Sequence, residues 1–336
     1  MRKAAVALLV LVARAAFAAD GPSFAGYLRF QVPPDTEIKW AAATNQLPAA
    51  LWIYKVVPQH FSAAAVSNLV ALGALTLRDE RRRHGGFSNT NEDPLVFCNK
   101  QQTRTLTVVP SQGWIKYHDE YAPANHYNKT NHTWEPVRDL PGGKRLEDGA
   151  LKFVEQFGIH RCDLVTKPSS TNLLTFGIKR TRTYFDRERG REVKDEEFYR
   201  GVFFVRRIAG IGFAGIGTGA GCEVCFGNDA KIADFELVWR NMQPGEQRSV
   251  ASPAEIVKYV RAGGAVMTHR DSVNPRDVKK LTITEVVPFY MGATGEEIQS
   301  LVYPFAQIEA IASLGSTNLN VQLYCPILTQ RASAQK

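Results

Sequence analysis

A group of histidines and carboxylates between positions 118 and 132 contains the residue types that bind metal ions. The group consists of His118, Asp119, Glu120, His126 and His132. Imidazole and carboxylate groups are ordinary zinc ligands. Neither a His-x-His spacing nor a pair of histidines one helical turn apart orders these residues. We therefore interpret them as polar loop residues and predict no metal site.

A Cys-x-x-Cys motif at Cys222 and Cys225 has the spacing of redox and zinc sites. It lies in a segment with the pattern of a strand, where residues three apart are separated by roughly 10 Å and face opposite sides. A disulfide requires Cα atoms within about 7 Å. We therefore interpret both as ordinary strand residues. Together with Cys98, Cys162 and Cys325 they are too few for a disulfide framework, and the sequence leaves the state of all five thiols open.

Catalytic and cofactor motifs are weak in this sequence. Residues 210–215 match Gly-x-Gly-x-x-Gly, but a dinucleotide site also requires a helix directly after the motif, and the next residues are rich in glycine. His160 lies close to Cys162, which is more typical of a polar surface than of a nucleophile with its base. Neither a Gly-x-Ser-x-Gly elbow nor a His-Glu-x-x-His zinc motif is present. The sequence therefore predicts a protein that is not an enzyme and has no cofactor.

The first nineteen residues have the composition of a secretory signal peptide. Arg2 and Lys3 precede an apolar run at 4–12, and small residues follow at 16–19. Removal of residues 1–19 lowers the formal net charge from +8 to +5, a modest excess that favours a solvated basic surface over nucleic-acid binding. We expect a secreted or periplasmic protein with no integral membrane segment after cleavage.

Helix and strand patterns predict the elements that position these residues. Three amphipathic helices are expected at 62–73, 147–158 and 252–263, each ending in glycine and each followed by strand candidates. When the helices are aligned on their final glycines, large aliphatic residues coincide at Val66, Leu151 and Ile256. The pattern predicts an α+β fold of repeated units, in which one helix packs on a curved antiparallel sheet.

This repeat predicts the domain organisation. A first module at 20–121 is followed by a linker at 122–143, a central module at 144–246, a third module at 247–330 and a tail at 331–336. The linker contains two glycosylation sequons, at Asn128 and Asn131, which matter only in a eukaryotic host.

The central module contains the strongest strand pattern of the chain. Residues 199–241 read as three long strands, 199–213, 222–226 and 231–239, which alternate apolar and polar side chains and are separated by glycine-rich turns. The reversal at 215–221 supplies Gly215, Gly217, Gly219 and Gly221. We predict these four glycines as the rim of a partner-binding surface.

The unit order, together with the segments 204–213 (FVRRIAGIGF) and 222–232 (CEVCFGNDAKI), resembles the PepSY family of peptidase propeptide and YpeB-type domains. It is also similar to YycH/YycI-type extracytoplasmic regulators and to thermolysin-type propeptides. The resemblance is clearest over residues 145–245 and implies a cystatin-like, PepSY-like helix on a curved sheet. It implies no catalytic residues. Instead it implies an inhibitory, chaperoning or sensing module outside the cytoplasm.

The expected function is therefore that of an exported, non-catalytic binding or regulatory protein. The partner would be a protein, a protease or a peptide, which an exposed strand edge binds by strand addition. Two alternatives stay open: a secreted hydrolase whose site no motif reveals, and a structural surface protein. The sequence identifies neither the partner nor the oligomeric state.

Overall fold

The computed structural model describes residues 27–43, 47–78, 94–167, 170–215, 221–268, 273–295 and 297–329. The predicted signal peptide, the predicted tail and two of the predicted rim glycines, Gly217 and Gly219, lie outside the described residues.

Strands dominate the described chain. In chain order they are β1 (Tyr27–Phe30), β2 (Glu37–Trp40), β3 (Ala50–Val57), β4 (Thr76–Leu77), β5 (Leu95–Cys98), β6 (Arg104–Val109), β7 (Trp114–Asp119), β8 (Tyr127–Asn128), β9 (Thr133–Trp134), β10 (Thr175–Asp186), β11 (Arg191–Val205), β12 (Arg207–Ile208), β13 (Ile211–Gly215), β14 (Gly221–Phe226), β15 (Ile232–Val238), β16 (Asn241–Ser249), β17 (Ala265–Thr268), β18 (Lys280–Gly292), β19 (Leu301–Val302), β20 (Pro304–Leu314) and β21 (Thr317–Pro326).

Three α-helices occur among the described residues: α1 (Ala63–Gly73), α2 (Gly143–Val154) and α3 (Pro253–Arg261). The chain divides into two compact units. The terminal unit comprises Met1–Val56, Met242–Gly292 and Gln299–Lys336, and the middle unit comprises Val57–Asn241 and Ala293–Ile298.

The predicted α+β fold of repeated units, each with one helix on its own sheet, is wrong. Of the described residues, 51% lie in strands and only 17% in helical conformations. The decisive finding is the pairing of β7 with β15, which joins strands of the predicted first and central modules in one sheet. The helices α1 and α2 then pack on this common sheet, so that two supposed repeats share one hydrophobic core.

The sheet of the middle unit is antiparallel, in the order β10-β11-β14-β15-β7-β6-β5-β4. Its helix-covered face buries Leu69 from α1 and Val154 from α2 against Leu106, Phe204 and Phe235. Burial of these apolar side chains stabilises the unit, by roughly 25 cal/mol for each Å² of apolar surface removed from water. The opposite face carries the polar residues described below.

The terminal unit has its own sheet, in which β1, β17, β21, β20 and β18 follow each other as antiparallel neighbours and β2 pairs parallel to β18. A smaller sheet has the order β16-β3-β19. Ile256 and Val260 of α3 are buried, and the helix lies against β2 and β21. A strand from near each end of the chain therefore contacts the third helix.

The predicted start of α3 is confirmed in atomic detail. The Ser252 hydroxyl accepts a hydrogen bond from the Glu255 backbone N–H, and the Glu255 carboxylate accepts one from the Ser252 backbone N–H, at 2.7 Å. This reciprocal pairing satisfies two N–H groups that a helix N-terminus otherwise leaves without partners.

The predicted single strand at 199–213 is divided into three. The strand β11 ends at Val205, and β12 and β13 form a hairpin around Ala209 and Gly210, whose φ angles are 48° and 81°. Two successive residues with positive φ make the tight reversal that a two-residue hairpin requires. Ala209 carries a Cβ in this conformation, which explains why the sequence shows no clear turn signal here.

Within the described part of the chain, none of the helices combines the length and the apolar character needed to cross a membrane.

Candidate functional site

Polar side chains form a row across the middle unit, on the sheet face that the helices leave uncovered. Strand register places His118 of β7 beside Asp234 of β15, and Asp234 beside Cys225 of β14. Cys225 in turn lies beside Gly201 of β11. Neighbouring strands in a sheet are about 4.8 Å apart, so these side chains are in direct contact range.

Asp234 is the centre of a hydrogen-bonded network. One carboxylate oxygen lies 2.5 Å from His118 Nδ1, and the other accepts a hydrogen bond from the Tyr199 hydroxyl at 2.6 Å. The hydrogen bond to Asp234 raises the pKa of His118, against the opposing effect of burial. Burial raises the pKa of Tyr199 far above its usual range, so Tyr199 acts as a neutral donor to Asp234.

An imidazole oriented by a carboxylate is the arrangement that positions a general base. His118 is half-buried, and in the described part of the chain only Nδ1 of its ring makes a hydrogen bond. The nearest thiol in the row, Cys225, is fully buried and lies 3.4 Å from the Glu223 carboxylate. Burial raises the pKa of Cys225 well above its usual range, which opposes formation of a thiolate nucleophile.

Gly201 provides the space for the Cys225 thiol. A Cβ atom added at Gly201 would lie 2.2 Å from Cys225 Sγ and 2.9 Å from the Val224 carbonyl oxygen. Val224 faces the helix-covered core, whereas Cys225 packs with Tyr199 on the opposite face. The thiol is thus enclosed between strands.

Residues 122–138, which we call the strap, lie over part of this face. Ala122 and Ala124 are buried against it together with Cys225. Arg182 of β10 donates hydrogen bonds to the carbonyl oxygens of Ala124 and Glu135, and its guanidinium also bonds the Glu196 carboxylate at 2.7 Å. Part of the predicted linker is therefore fastened to the sheet.

Asn228 is a second anchor and holds both ends of the strap. The Asn228 side chain accepts a hydrogen bond from the Arg138 backbone N–H and donates to the Pro136 carbonyl oxygen, at 2.8 and 3.0 Å. The Asn228 backbone N–H donates to the Ala122 carbonyl oxygen at 2.8 Å. Asn228 is buried, so its amide has no access to water as a substitute partner.

The long strand β10 forms one edge of the middle-unit sheet. It pairs with β11 on one side, and in the described part of the chain no strand pairs with its other side. Pairing is regular from residue 175 to residue 180, and register shifts follow between Arg180 and Thr181 and between Arg182 and Tyr184. Bulges of this kind hinder the pairing of a further strand with an edge. Residues 175–180 are therefore the part of β10 that is regular enough to pair.

The predicted rim glycines do not come together as a described surface. Gly215 ends β13, and Gly221 begins β14. Gly221 is buried, and an added Cβ would lie 2.3 Å from the Phe204 carbonyl oxygen. Its role here is close strand packing, and Gly217 and Gly219 lie outside the described residues.

The histidines and carboxylates at 118–132 are dispersed. His118 belongs to the row on the sheet, and Asp119 pairs with Arg104 at 2.9 Å. His126 lies 3.1 Å from the Glu120 carbonyl oxygen, and His132 contacts the Tyr127 hydroxyl. Within the described residues, no three side chains of these types converge on a position where a metal ion could bind.

The remaining motifs are structural. Residues 211–215 of the glycine-rich motif form a strand instead of a nucleotide-binding turn. The Cys-x-x-Cys motif lies on β14, as its alternation predicts, with its two thiols on opposite faces. Asn128 and Asn131 are exposed around the β8–β9 turn. The network around Asp234 was not predicted, because its members are 35 and 116 residues away from it along the chain.

Comparisons with known proteins leave the family open. No protein-family model matches the chain, and no curated protein matches it. One solved structure that the comparison found is the crystal structure of an uncharacterized protein from Eubacterium rectale ATCC 33656. It shares 10% sequence identity, and the similarity covers 86% of each chain with a TM-score of 0.44. The resemblance to PepSY domains stays a prediction.

Proposed function

We propose that this chain is an exported, non-catalytic protein that binds an extended segment of a partner protein by strand addition along β10. The observation that supports this is a 12-residue strand at the edge of the middle-unit sheet, to whose outer side no strand of the described residues pairs. A strand edge presents a row of backbone N–H and C=O groups, which an extended peptide satisfies as an additional strand.

The regular part of the edge sets the length of the bound segment. Six consecutive residues, 175–180, pair with β11 without a register shift. A partner strand of five to six residues is also the ordinary strand length in globular proteins, about 17–20 Å. The bulges beyond Arg180 limit pairing toward the hairpin tip.

The side chains along this edge select the chemistry of the partner. Phe176 is 53% exposed and lies beside Phe203, with 6.4 Å between ring centroids. Ile178 follows on the same face, and then Arg180, whose guanidinium stacks 4.7 Å above the Tyr199 ring. Apolar residues in the partner would cover the aromatic end, and an acidic residue would meet the cationic end. The partner segment is therefore apolar where it meets Phe176 and Ile178 and acidic where it meets Arg180.

A synthetic peptide with valines at one end and glutamates at the other tests the proposal. A peptide that carries lysines in place of the glutamates is its charge control. We expect the acidic peptide to slow hydrogen exchange of backbone amides within 175–180, and the basic peptide to leave them unchanged. Phe176→Asp should weaken binding by about tenfold or more, since it removes an aromatic anchor.

Phe185→Asp is the matched control, because Phe185 lies on the same strand, is 62% exposed and follows the bulges. It should bind like the wild type. Equal binding of the acidic peptide by both variants, or no protection of the β10 amides, would contradict strand addition at this edge.

The protease-inhibitory form of the proposal has its own test. The mature protein is titrated against a panel of secreted metallo- and serine proteases while peptide hydrolysis is followed. Saturable inhibition of one class near equimolar ratio, lost in Phe176→Asp, would identify the partner as a protease. If the protein is cleaved or no enzyme is inhibited, the partner belongs to another class.

A further inference from the structure

The buried arginines of the described chain differ in how their charge is compensated. They are Arg182, Arg206 and Arg240. Arg182 pairs with a carboxylate, and Arg240 donates to three backbone carbonyl oxygens within residues 293–297. Within the described residues, the Arg206 guanidinium donates one hydrogen bond, from Nη1 to the Arg240 carbonyl oxygen at 2.7 Å. Its other N–H groups have no protein acceptor in the described part of the chain.

The Arg206 guanidinium is held between aromatic rings. It lies 4.4 Å from the centroid of the Trp239 ring and 5.4 Å from that of Phe213. Arg206 follows directly after β11, and its backbone forms an isolated antiparallel β-bridge with Leu164. Burial lowers the pKa of Arg206 to about 10, which still leaves the group charged at neutral pH.

A buried charge is costly when no counter-charge is hydrogen-bonded to it. The Asp163 carboxylate acts on Arg206 through space, without a hydrogen bond between them. Cation–π contacts with Trp239 and Phe213 offset part of this cost. They do not use the in-plane N–H groups, because stacking leaves the edge of the guanidinium open. Arg206 is therefore equipped to bind an acceptor that lies in the plane of its guanidinium.

Arg206 lines a cavity of about 430 Å³. The cavity is lined by the hairpin residues 207–210, by Trp239 and by residues 162–163. Its size falls in the range of small-molecule sites, roughly 300–1,000 Å³. A free ion would fill only a fraction of it, so the volume fits an organic molecule.

The lining has a net charge of one positive unit. Arg206 and Arg207 contribute two guanidinium groups and Asp163 contributes one carboxylate, which already accepts a hydrogen bond from the His160 backbone N–H at 2.8 Å. Arg207 Nε donates to the Cys162 carbonyl oxygen at 2.7 Å, which fixes this side chain at the rim. One monoanionic group would neutralise the site.

We propose that this cavity binds a small organic molecule through a single carboxylate group, which Arg206 and Arg207 hold. A planar carboxylate matches the donor fork of a guanidinium. The site does not depend on strand addition at β10, so each proposal can fail without the other.

Benzoate and its uncharged isostere benzamide test the charge requirement on the full mature protein, with acetate and a free amino acid as further carboxylates. We expect benzoate to bind saturably by calorimetry and to raise the thermal unfolding midpoint. Benzamide should bind at least about tenfold more weakly, the effect of losing a charge-assisted hydrogen bond.

The reactivity of the Cys162 thiol shows directly whether a ligand occupies the cavity. It lines the cavity and is exposed, whereas Cys98, Cys222, Cys225 and Cys325 are buried. A thiol reagent should therefore label Cys162 first, and benzoate should slow this labelling. Cys162→Ser removes the fast-reacting thiol and assigns the signal.

Arg206→Gln should weaken benzoate binding by about tenfold to a hundredfold. Arg207→Gln provides a second variant that does not disturb the buried stack, and it should weaken binding in the same direction. Arg145→Gln is the matched control, since Arg145 pairs with Asp139 on the exposed surface of the same unit.

Failure of every carboxylate to bind, or equal binding of benzoate and benzamide, overturns the proposal. Wild-type affinity in Arg207→Gln together with unprotected Cys162 also overturns it, because the ligand would then bind elsewhere.

Discussion

The bond between His118 and Asp234 makes the stability of the middle unit depend on pH. The folded-state pKa of His118 is raised by its hydrogen bond to Asp234. A group whose pKa is higher in the folded state stabilises the fold fully below its unfolded pKa, about 6.5, and loses this contribution as the pH rises through the folded value. Asp234→Asn should lower the pKa of His118 and remove this pH-dependent contribution.

Two measurements check this prediction. The His118 ring resonances are titrated by NMR, and urea unfolding is measured at about pH 5.5 and about pH 8.5. The difference in unfolding free energy between wild type and Asp234→Asn should be larger at the lower pH. His126→Gln, which changes a half-buried histidine of the strap, serves as control. A difference that grows with pH would contradict the assignment.

Gly201 is essential because of the thiol beside it. An alanine there would place its Cβ 2.2 Å from Cys225 Sγ, and overpacking of this kind costs about 1–3 kcal/mol. We expect Gly201→Ala to lower the unfolding free energy by that amount in denaturant titrations. Cys225→Ala should partly restore it in the double variant, although the contact with the Val224 carbonyl oxygen remains. Additive effects of the two changes would show that the thiol is not the obstacle.

At the scale of elements, the strap depends on the Arg182 side chain. Arg182→Met keeps much of the apolar contact with neighbouring aromatic rings but leaves the Ala124 and Glu135 carbonyl oxygens and the Glu196 carboxylate without their donor. We expect a loss of about 3 kcal/mol in unfolding free energy, as for other broken buried pairs. Limited proteolysis should then cut within residues 122–138 before other sites.

The control for the strap is Arg145→Met, which removes an exposed ion pair with Asp139. Exposed pairs contribute about 0–1 kcal/mol, so stability should change little and the strap should stay resistant to protease. Equal effects of the two substitutions would show that Arg182 does not fasten the strap.

Local chemistry explains which elements could be predicted. The helix α3 was predicted because its start depends on Ser252, Pro253 and Glu255, all adjacent in sequence. Strand β14 was predicted from its own alternation. Strand β16 was missed because its residues, NMQPGEQRS, contain a proline and a glycine and lack an apolar face. It is a strand only because β3 pairs with it.

For the whole molecule, the repeat was an error with an identifiable cause. Gly158 and Gly263 have φ angles of 75° and 72° and follow helical turns, where the left-handed conformation favours glycine. At the end of α1 that position is Ala74, with a φ of 51°. The alignment therefore matched glycines only because glycine is common at the ends of helices. It did not detect related units.

The candidate sites could not be predicted from sequence patterns. The alternation in 231–239 predicted the strand that carries Asp234, but nothing in the sequence pairs that strand with His118. The Arg206 cavity depends on Trp239 and residues 162–163 meeting one hairpin. Both groups of side chains are brought together by pairing between strands that are distant in sequence, and no local sequence pattern predicts such pairing.

The terminal unit consists of three separate stretches of the chain, so its strands emerge from the ribosome at different times. Strand β1 pairs with β17, more than two hundred residues further along the chain. Almost all of the middle unit lies between them as one continuous stretch. A chain that emerges from the ribosome at about 5–20 residues per second therefore completes the middle sheet while β1 still waits for its neighbour. Strand β1 must therefore stay unpaired for many seconds. During that time a chaperone that binds exposed strands would contribute most to folding.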